Sequence, residues 1–316
     1  MENRAAPEIS VVIPVHNEDG NLVLLDNELK MALKSLERSY ELIYVDDGST
    51  DDSLDVLKTL SRVTVIELNR NYGQSTALDA GFKAAAGGLV VSLDGDGQND
   101  PADIPALIEK LERERLDVVA GWRKHRKDKG SIKLITKTAR LLRRLFIGDI
   151  VHDSGCTLRV YRAAAVKSLD IGGEMHRFIL ALLKWKGFRI GEMVVNHRPR
   201  VNGVSKYGAG KAVRGLIDLM YIWFIHKYSQ RPLHLFGYLS ICSASLGFLA
   251  GAWSLYGKLF YGLSLNRNGW FSITFFFLLA AIMFFSFGII LDLLIRIQLT
   301  TSPHERRYYV RRVIKN

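Results

Sequence analysis

Two apolar runs, Leu233–Tyr256 and Trp270–Ile295, constrain this 316-residue chain more than any other feature. In hydrocarbon a backbone N–H finds no water, so an uninterrupted apolar run of that length must close its hydrogen bonds within itself, as a helix. At about 1.5 Å per residue each run covers the roughly 30 Å core of a bilayer. A buried helical hairpin of a soluble fold would carry a polar stripe, and these runs barely do. Two transmembrane helices are therefore expected. The segment joining them, Gly257–Gly269, carries Lys258 and Arg267, whereas Arg306, Arg307, Arg311, Arg312 and Lys315 follow the second run. Under the positive-inside rule both flanks face the cytoplasm.

Before about Tyr228 the pattern changes to strand-length apolar runs alternating with helical periodicity, the mark of βαβ units on a parallel sheet. Strands are expected at Ile9–Val15, Glu41–Val45, Val63–Leu68, Leu89–Leu93 and Asp117–Ala120, with helices near Asn21–Leu36, Asp51–Leu60, Ser75–Ala86 and Pro101–Glu114. The run Ile9–Val15 is short and flanked by polar residues, so it reads as a strand and not as a leader. Beyond Arg123 the alternation loosens into a basic helical segment at Ser131–Phe146, strands at Thr157–Tyr161 and Arg189–Asn196, a helix at Met175–Trp185 and an amphipathic helix at Ala212–Tyr228. That last helix suits either a membrane interface or a sheet face.

Parallel strands deliver their carboxyl ends to one edge, where open α/β sheets bind ligands. Four polar clusters converge there: His16-Asn17-Glu18, Asp46-Asp47-Gly48-Ser49, Asn69-Arg70-Asn71-Tyr72-Gly73 and Asp94-Gly95-Asp96-Gly97-Gln98. Paired carboxylates on a tight glycine turn supply the hard oxygen ligands that Mg²⁺ or Mn²⁺ prefers, and leave positions open for phosphate oxygens. Asp96 is the best direct ligand, Asp94 lies nearer a ribose or sugar, and Gln98 completes the shell; the competing reading is a polar turn capping the next helix. Asp46 and Asp47 can accept from a base imide or ribose hydroxyl, or cap a helix. The loop Pro14–Glu18 suits one face of a nucleotide, with His16 read as solvated. Arg198, Arg200 and Lys206 sit in a glycine-punctuated basic loop that can close over a diphosphate or remain solvated.

A formal net charge of +11 invites a nucleic-acid reading. Arg123–Arg144 holds ten Lys or Arg and one acid, Asp128, but no interleaved aromatics. That excludes a single-strand stacking platform, and a basic surface beside membrane spans better fits anionic headgroups or a phosphorylated lipid. Cys156 and Cys242 are the two cysteines, too few for a disulfide framework. No Ser-His-Asp, Cys-His or zinc-ligand spacing is legible.

Val11-Val12-Ile13-Pro14 with Asn17-Glu18, Val45–Asp51, Asn69–Gly73, Leu93–Gln98 and Gly203-Val204-Ser205-Lys206-Tyr207 together resemble the inverting glycosyltransferases with a GT-A fold. Within them the chain is similar to the polyprenyl-phosphate branch, which includes dolichyl-phosphate mannose synthases and undecaprenyl-phosphate sugar transferases. The resemblance implies a GT-A catalytic domain, a Rossmann-like and mostly parallel sheet, over residues 1–208, a juxtamembrane helix at 209–231, a two-helix transmembrane hairpin at 232–297 and a basic cytoplasmic tail at 298–316. It implies metal-dependent transfer of a sugar from a nucleotide donor to a polyprenyl phosphate at the cytoplasmic membrane, with Mg²⁺ or Mn²⁺ as cofactor, no nucleic-acid partner, and self-association as an open expectation.

The resemblance also implies roles for single residues. Asp94, Asp96 and Gln98 would form the metal site, and Asp96 and Arg200 would carry the chemistry. Pro14, Glu18, Asp46, Asp47, Arg70, Asp94, Gln98 and Lys206 would bind the donor, while Arg123, Lys137 and Ser154 would meet the acceptor phosphate. Cys156 stands where some glucosyl-type relatives carry an acid. The string Gly155-Cys156-Thr157-Leu158-Arg159-Val160-Tyr161-Arg162 is closer to aminoarabinose-type transferases, which favours a UDP-sugar over GDP-mannose. A processive polysaccharide synthase would need a Gln-x-x-Arg-Trp motif and more membrane helices; a scaffold that binds nucleotide sugar without turnover is the non-enzymatic rival.

Overall fold

The computed structural model describes residues 6–124, 142–144, 146–148, 151–199, 210–228, 231–264, 269–301 and 310–315. The chain divides into two compact units, Met1–Leu216 with Arg306–Asn316, and Ile217–Glu305.

The first unit is an eight-stranded sheet in the order β7-β5-β6-β4-β1-β2-β3-β8. Its strands are β1 (Ile9–Val15), β2 (Tyr40–Asp46), β3 (Val63–Leu68), β4 (Leu89–Ser92), β5 (Val118–Trp122), β6 (Arg159–Arg162), β7 (Ile190–Val194) and β8 (Val310–Lys315). The first four run parallel, with Val15 opposite Asp46 and Asp46 opposite Glu67, so their carboxyl ends are level. Every side chain of β1 is buried, as expected of a strand covered on both faces. Antiparallel β6 is inserted between β4 and β5, which the simple alternation does not foretell.

Helices α1 (Asp19–Lys34), α2 (Ser53–Thr59) and α4 (Ile104–Arg113) cover one face, where Val11, Ile13, Tyr44, Leu29, Leu107 and Leu111 meet in one core. Helix α3 (Gln74–Ala84), a short α5 (Ala163–Lys167) and α6 (Ile179–Trp185) serve the second core around Val12, Val45, Phe82 and Tyr161. The stretch expected as one helix from Pro101 begins as a tight turn at Pro101–Asp103, where Asp100 accepts from the Ala102 N–H at 3.1 Å. Likewise Met175–Phe178 is a 3-10 turn leading into α6.

Strand β8 departs most from expectation. The basic segment read as a tail supplies an edge strand antiparallel to β3, with Glu67 opposite Arg312 and Val65 opposite Ile314. Ile314 packs on the first core, and pairing covers an edge of β3 that would otherwise be open.

In the second unit α8 (Pro232–Tyr261) and α9 (Gly269–Thr301) pack along their length, while α7 (Gly210–Tyr228) precedes them and begins in the first unit. Small residues at Ser243, Gly247, Ala250 and Ser254 line the α8 seam, and the Ser240 and Ser243 hydroxyls donate across it to the carbonyls of Ala281 and Phe277 at 2.8 Å. Close approach through small residues and interhelical hydrogen bonds is how helices associate in lipid. The outward faces are apolar: Phe248, Leu249, Leu259, Phe276 and Ile282 are exposed. Both helices are long and apolar enough to cross a membrane.

Candidate active site

The carboxyl ends of β1 to β4 frame a cleft of about 300 Å³ lined by Pro14, His16, Glu18, Asp47, Asn71, Gln74, Asp94 and Asp96, among others. The structure thus brings together the four polar clusters expected at this edge.

The β2 turn is built by self-satisfaction. Asp47 accepts from the backbone N–H groups of Tyr72 at 2.7 Å and Gly73 at 2.8 Å, so its carboxylate braces the loop after β3. Asp46 accepts from the Ser49 N–H at 3.3 Å and is almost wholly buried. Burial holds both carboxyls above the ordinary range, while these donors and His16 oppose the shift. Gly48 has φ +64°, and a Cβ there would lie 2.5 Å from the Arg70 carbonyl carbon, so the two loops touch where only glycine fits. Arg70, expected at the donor, rests its guanidinium 4.7 Å over the Tyr72 ring.

His16, read from sequence as solvated, joins three loops. The Gly73 N–H donates to Asn71 Oδ1, which turns the Asn71 amide so that Nδ2 donates to His16 Nε2 at 3.1 Å. The other ring nitrogen, Nδ1, then carries the proton toward the Asp47 carbonyl at 3.0 Å. Glu18 accepts from Asn21 Nδ2 at 2.7 Å, and its backbone N–H donates to Ser53.

The β4 turn differs. Gln74 at the start of α3 donates to Asp94 Oδ1 at 2.6 Å, and the Thr157 hydroxyl also bonds Asp94. Desolvation, with the neighbouring Asp96 charge, pushes the Asp94 carboxyl up to about 6, against the pull of Thr157, Arg123 and Arg159. Asp96 accepts from the Gln98 N–H at 3.1 Å. Gln74 and Thr157 are neutral and were given no site role from sequence, although Thr157 lies in the string that favours a UDP-sugar.

Two carboxylates with an anion held at a disadvantage, beside an open cleft, are suited to a divalent cation that also takes phosphate oxygens. Among the described residues no three His, Cys, Asp or Glu gather into an all-protein cage. The donor set therefore fits Mg²⁺ or Mn²⁺ shared with a substrate, and does not fit a closed structural site.

On the other side of Asp94, Arg123 at the end of β5 is clamped by Asp153, with Nε at 2.7 Å and Nη2 at 3.0 Å. Ser154 is buried, and its carbonyl accepts from Arg159 Nη2 at 2.7 Å. Arg198, expected at a diphosphate, is instead bound by Glu28 at 2.7 Å and by Asp100 at 2.7 Å. It anchors the segment after β7 to α1 and to the turn before α4. Lys137, Arg200 and Lys206 lie outside the described residues.

With this geometry in view, comparison with known proteins decides the family. Residues 10–170 match the model described as glycosyl transferase family 2. The chain belongs to that family. A dodecaprenyl-phosphate galacturonate synthase of Rhizobium johnstonii is 37% identical over 92% of this chain and 88% of its own length. An undecaprenyl-phosphate 4-deoxy-4-formamido-L-arabinose transferase of Shewanella sediminis is 34% identical over 97% of this chain and 92% of its own. Among solved structures, the glucosyl-3-phosphoglycerate synthase of Mycobacterium tuberculosis, in complex with Mn²⁺, UDP and product, superposes with a TM-score of 0.52 at 20% identity, covering 69% of this chain and 80% of that one. That likeness shows the fold. The family 2 chain is a glycosyltransferase with a GT-A catalytic domain followed by two candidate membrane spans.

Proposed function

We propose that this glycosyltransferase moves a sugar from a UDP-sugar to the phosphate of a polyprenyl lipid at the cytoplasmic face of the membrane, with inversion at the anomeric carbon. The observation that carries this reading is the Asp94–Asp96 turn, which lines the cleft together with the nucleotide-side loops and whose Asp94 carboxyl is raised by burial and by the neighbouring Asp96 charge. The relatives named above, both acting on polyprenyl phosphates, support the acceptor class, and the uronic or amino-pentose sugars in their names are the leading candidates for the donor.

Asp46 and Glu18 would meet the nucleoside, and Asp96, with Asp94 and Gln98, would hold Mg²⁺ or Mn²⁺. When bound, such a cation supplies Lewis-acid neutralisation of the charge growing on the departing nucleoside diphosphate. Arg200 and Lys206 would add positive charge there, and Arg123 with Ser154 and Lys137 would orient the acceptor phosphate. A phosphate is already an anionic nucleophile at neutral pH, so the site needs no strong general base. The chain leaves the catalytic unit within α7 and rejoins its sheet at β8, which supports an even number of crossings between them and agrees with the basic residues on both flanks.

The test is transfer of label from a panel of radiolabelled UDP-galacturonate, UDP-4-deoxy-4-formamido-L-arabinose and GDP-mannose to undecaprenyl phosphate by the full chain in nanodiscs with Mn²⁺. One UDP-sugar is expected to label the lipid. UDP binding without any label transfer would replace the enzyme with a scaffold, and label from GDP-mannose alone would overturn the donor assignment.

A further inference from the structure

The sheet carries a row of charges that runs from Asp46, next to the cleft residue Asp47, to the strand following the membrane hairpin. Asp46, Glu67 and Arg312 are register partners on β2, β3 and β8, so their side chains share one face of the sheet. Asp46 and Glu67 are 1% and 3% exposed, and Arg312 Nη2 reaches Glu67 Oε2 at 3.2 Å. Two adjacent buried carboxylates are costly, and the cost falls when a cation stands beside them. Here that cation comes from a segment nearly 250 residues away in sequence, beyond both membrane helices.

We propose that the strand following the membrane hairpin completes the nucleoside end of the donor site, with Arg312 acting through Glu67 as a positioning residue that keeps Asp46 able to accept hydrogen bonds from a base or ribose. The inference rests on the reading of Asp46 as a nucleoside ligand. Its physical content is directional. An ionised Asp46 accepts at both oxygens; a protonated one loses acceptor capacity. The charged and titratable groups around Asp46 are His16 from the loop after β1, Asp47 beside it, Glu67 on β3 and, behind Glu67, Arg312. His16 favours the ionised form and Glu67 opposes it. Arg312 is half in water, so its own end of the pair is screened, but the Glu67 end is not. Removing the guanidinium takes away one positive charge that offsets Glu67 where it acts on Asp46. The fold therefore uses a segment tied to the membrane anchor to finish a pocket built by the first third of the chain.

The experiment measures UDP affinity, in the presence of Mn²⁺, for the full chain in nanodiscs from pH 5 to 8. Arg312→Ala is expected to move the acid limb of the affinity profile up by about half a pH unit, which weakens UDP binding about threefold on that limb and little at pH 8. Arg312→Lys should retain most of the affinity, and Glu67→Gln combined with Arg312→Ala should return both affinity and acid limb to near the parent values, because the charge to be neutralised is gone. An acid limb that does not move in Arg312→Ala, or a double variant as impaired as Arg312→Ala, overturns the proposal and leaves β8 a purely structural edge. Asp46→Asn separates the two levels of the argument. If it binds UDP as the parent does, the nucleoside reading itself fails; if it weakens binding while Arg312→Ala does not, the failure is that of the charge row alone.

Discussion

Two pairs of carboxylates stand at the same edge of the same sheet, and they are treated in opposite ways. At the end of β2, Asp47 accepts from two backbone N–H groups and Asp46 from the Ser49 N–H. At the end of β4, Asp94 receives two neutral side-chain donors, is favoured at longer range by Arg123 and Arg159, and is repelled by Asp96. Both pairs are desolvated, so burial alone does not distinguish them. What differs is the supply of N–H groups from the fold. Asp47, answered by the backbone, braces a loop, while Asp94, answered by side chains beside the cleft, has the chemistry that suits a divalent cation.

The sharpest way to break that comparison is to exchange the expected losses. Asp96→Ala should lower sugar transfer by about a thousandfold or more while leaving thermal stability unchanged or higher, read by lipid labelling and by melting of the same sample. Turnover resembling the parent would remove Asp96 from the chemistry. Next in size, Gly48→Ala should cost about 4 kcal/mol of stability, since it adds a Cβ at positive φ and 2.5 Å from the Arg70 backbone. Asp47→Ala should cost about 2–3 kcal/mol by orphaning the Tyr72 and Gly73 N–H groups, with or without metal. If Asp47→Ala kept its stability and lost only UDP affinity, the strut reading would give way to a ligand.

How far these roles were legible in sequence depends on who the partner is. Strand positions and the shared edge were readable, because buried parallel strands announce themselves as apolar runs and their ends as polar breaks; β1 and β3 fall where expected. The strut role of Asp47 was not, because its partners are backbone atoms of Tyr72 and Gly73, which carry no side-chain signature. Gln74 and Thr157 were passed over for a related reason: a single neutral donor forms no pattern until Asp94 is seen between α3 and the start of β6. His16 looked solvated and is indeed exposed, yet the amide of Asn71 fixes its tautomer. Strand β8 was hidden by charge, since Arg311, Arg312 and Lys315 gave Val310–Lys315 the look of a basic tail, although Ile314 and Arg312 face the core and Glu67 respectively.

The smallest effect sharpens the comparison most, because it separates the pairs by the size of a shift that has the same direction in both. Asp94 has a folded-state pKa of about 6, above the model carboxylate value of 3.8. A group shifted in that direction contributes stability that is fully present below the unfolded value and is lost as pH rises through the folded one. Between pH 4 and pH 7 the metal-free protein should therefore lose about 2 kcal/mol at this residue, the work of ionising a half-buried carboxyl beside Asp96. Asp94→Asn removes that loss, so at pH 7 the chelated variant should melt above the chelated parent, and the gap should close toward pH 4. Saturating Mn²⁺ should raise the parent at pH 7 and raise the variant less, since binding to the folded state restores what ionisation took away. The same scan on Asp47→Asn should show a smaller gain with rising pH, because burial raises that carboxyl too but its two N–H donors pull it back toward the ionised form. Equal pH profiles for the two asparagine variants would mean that the pairs differ in position only, and that the backbone donors at β2 have no thermodynamic consequence.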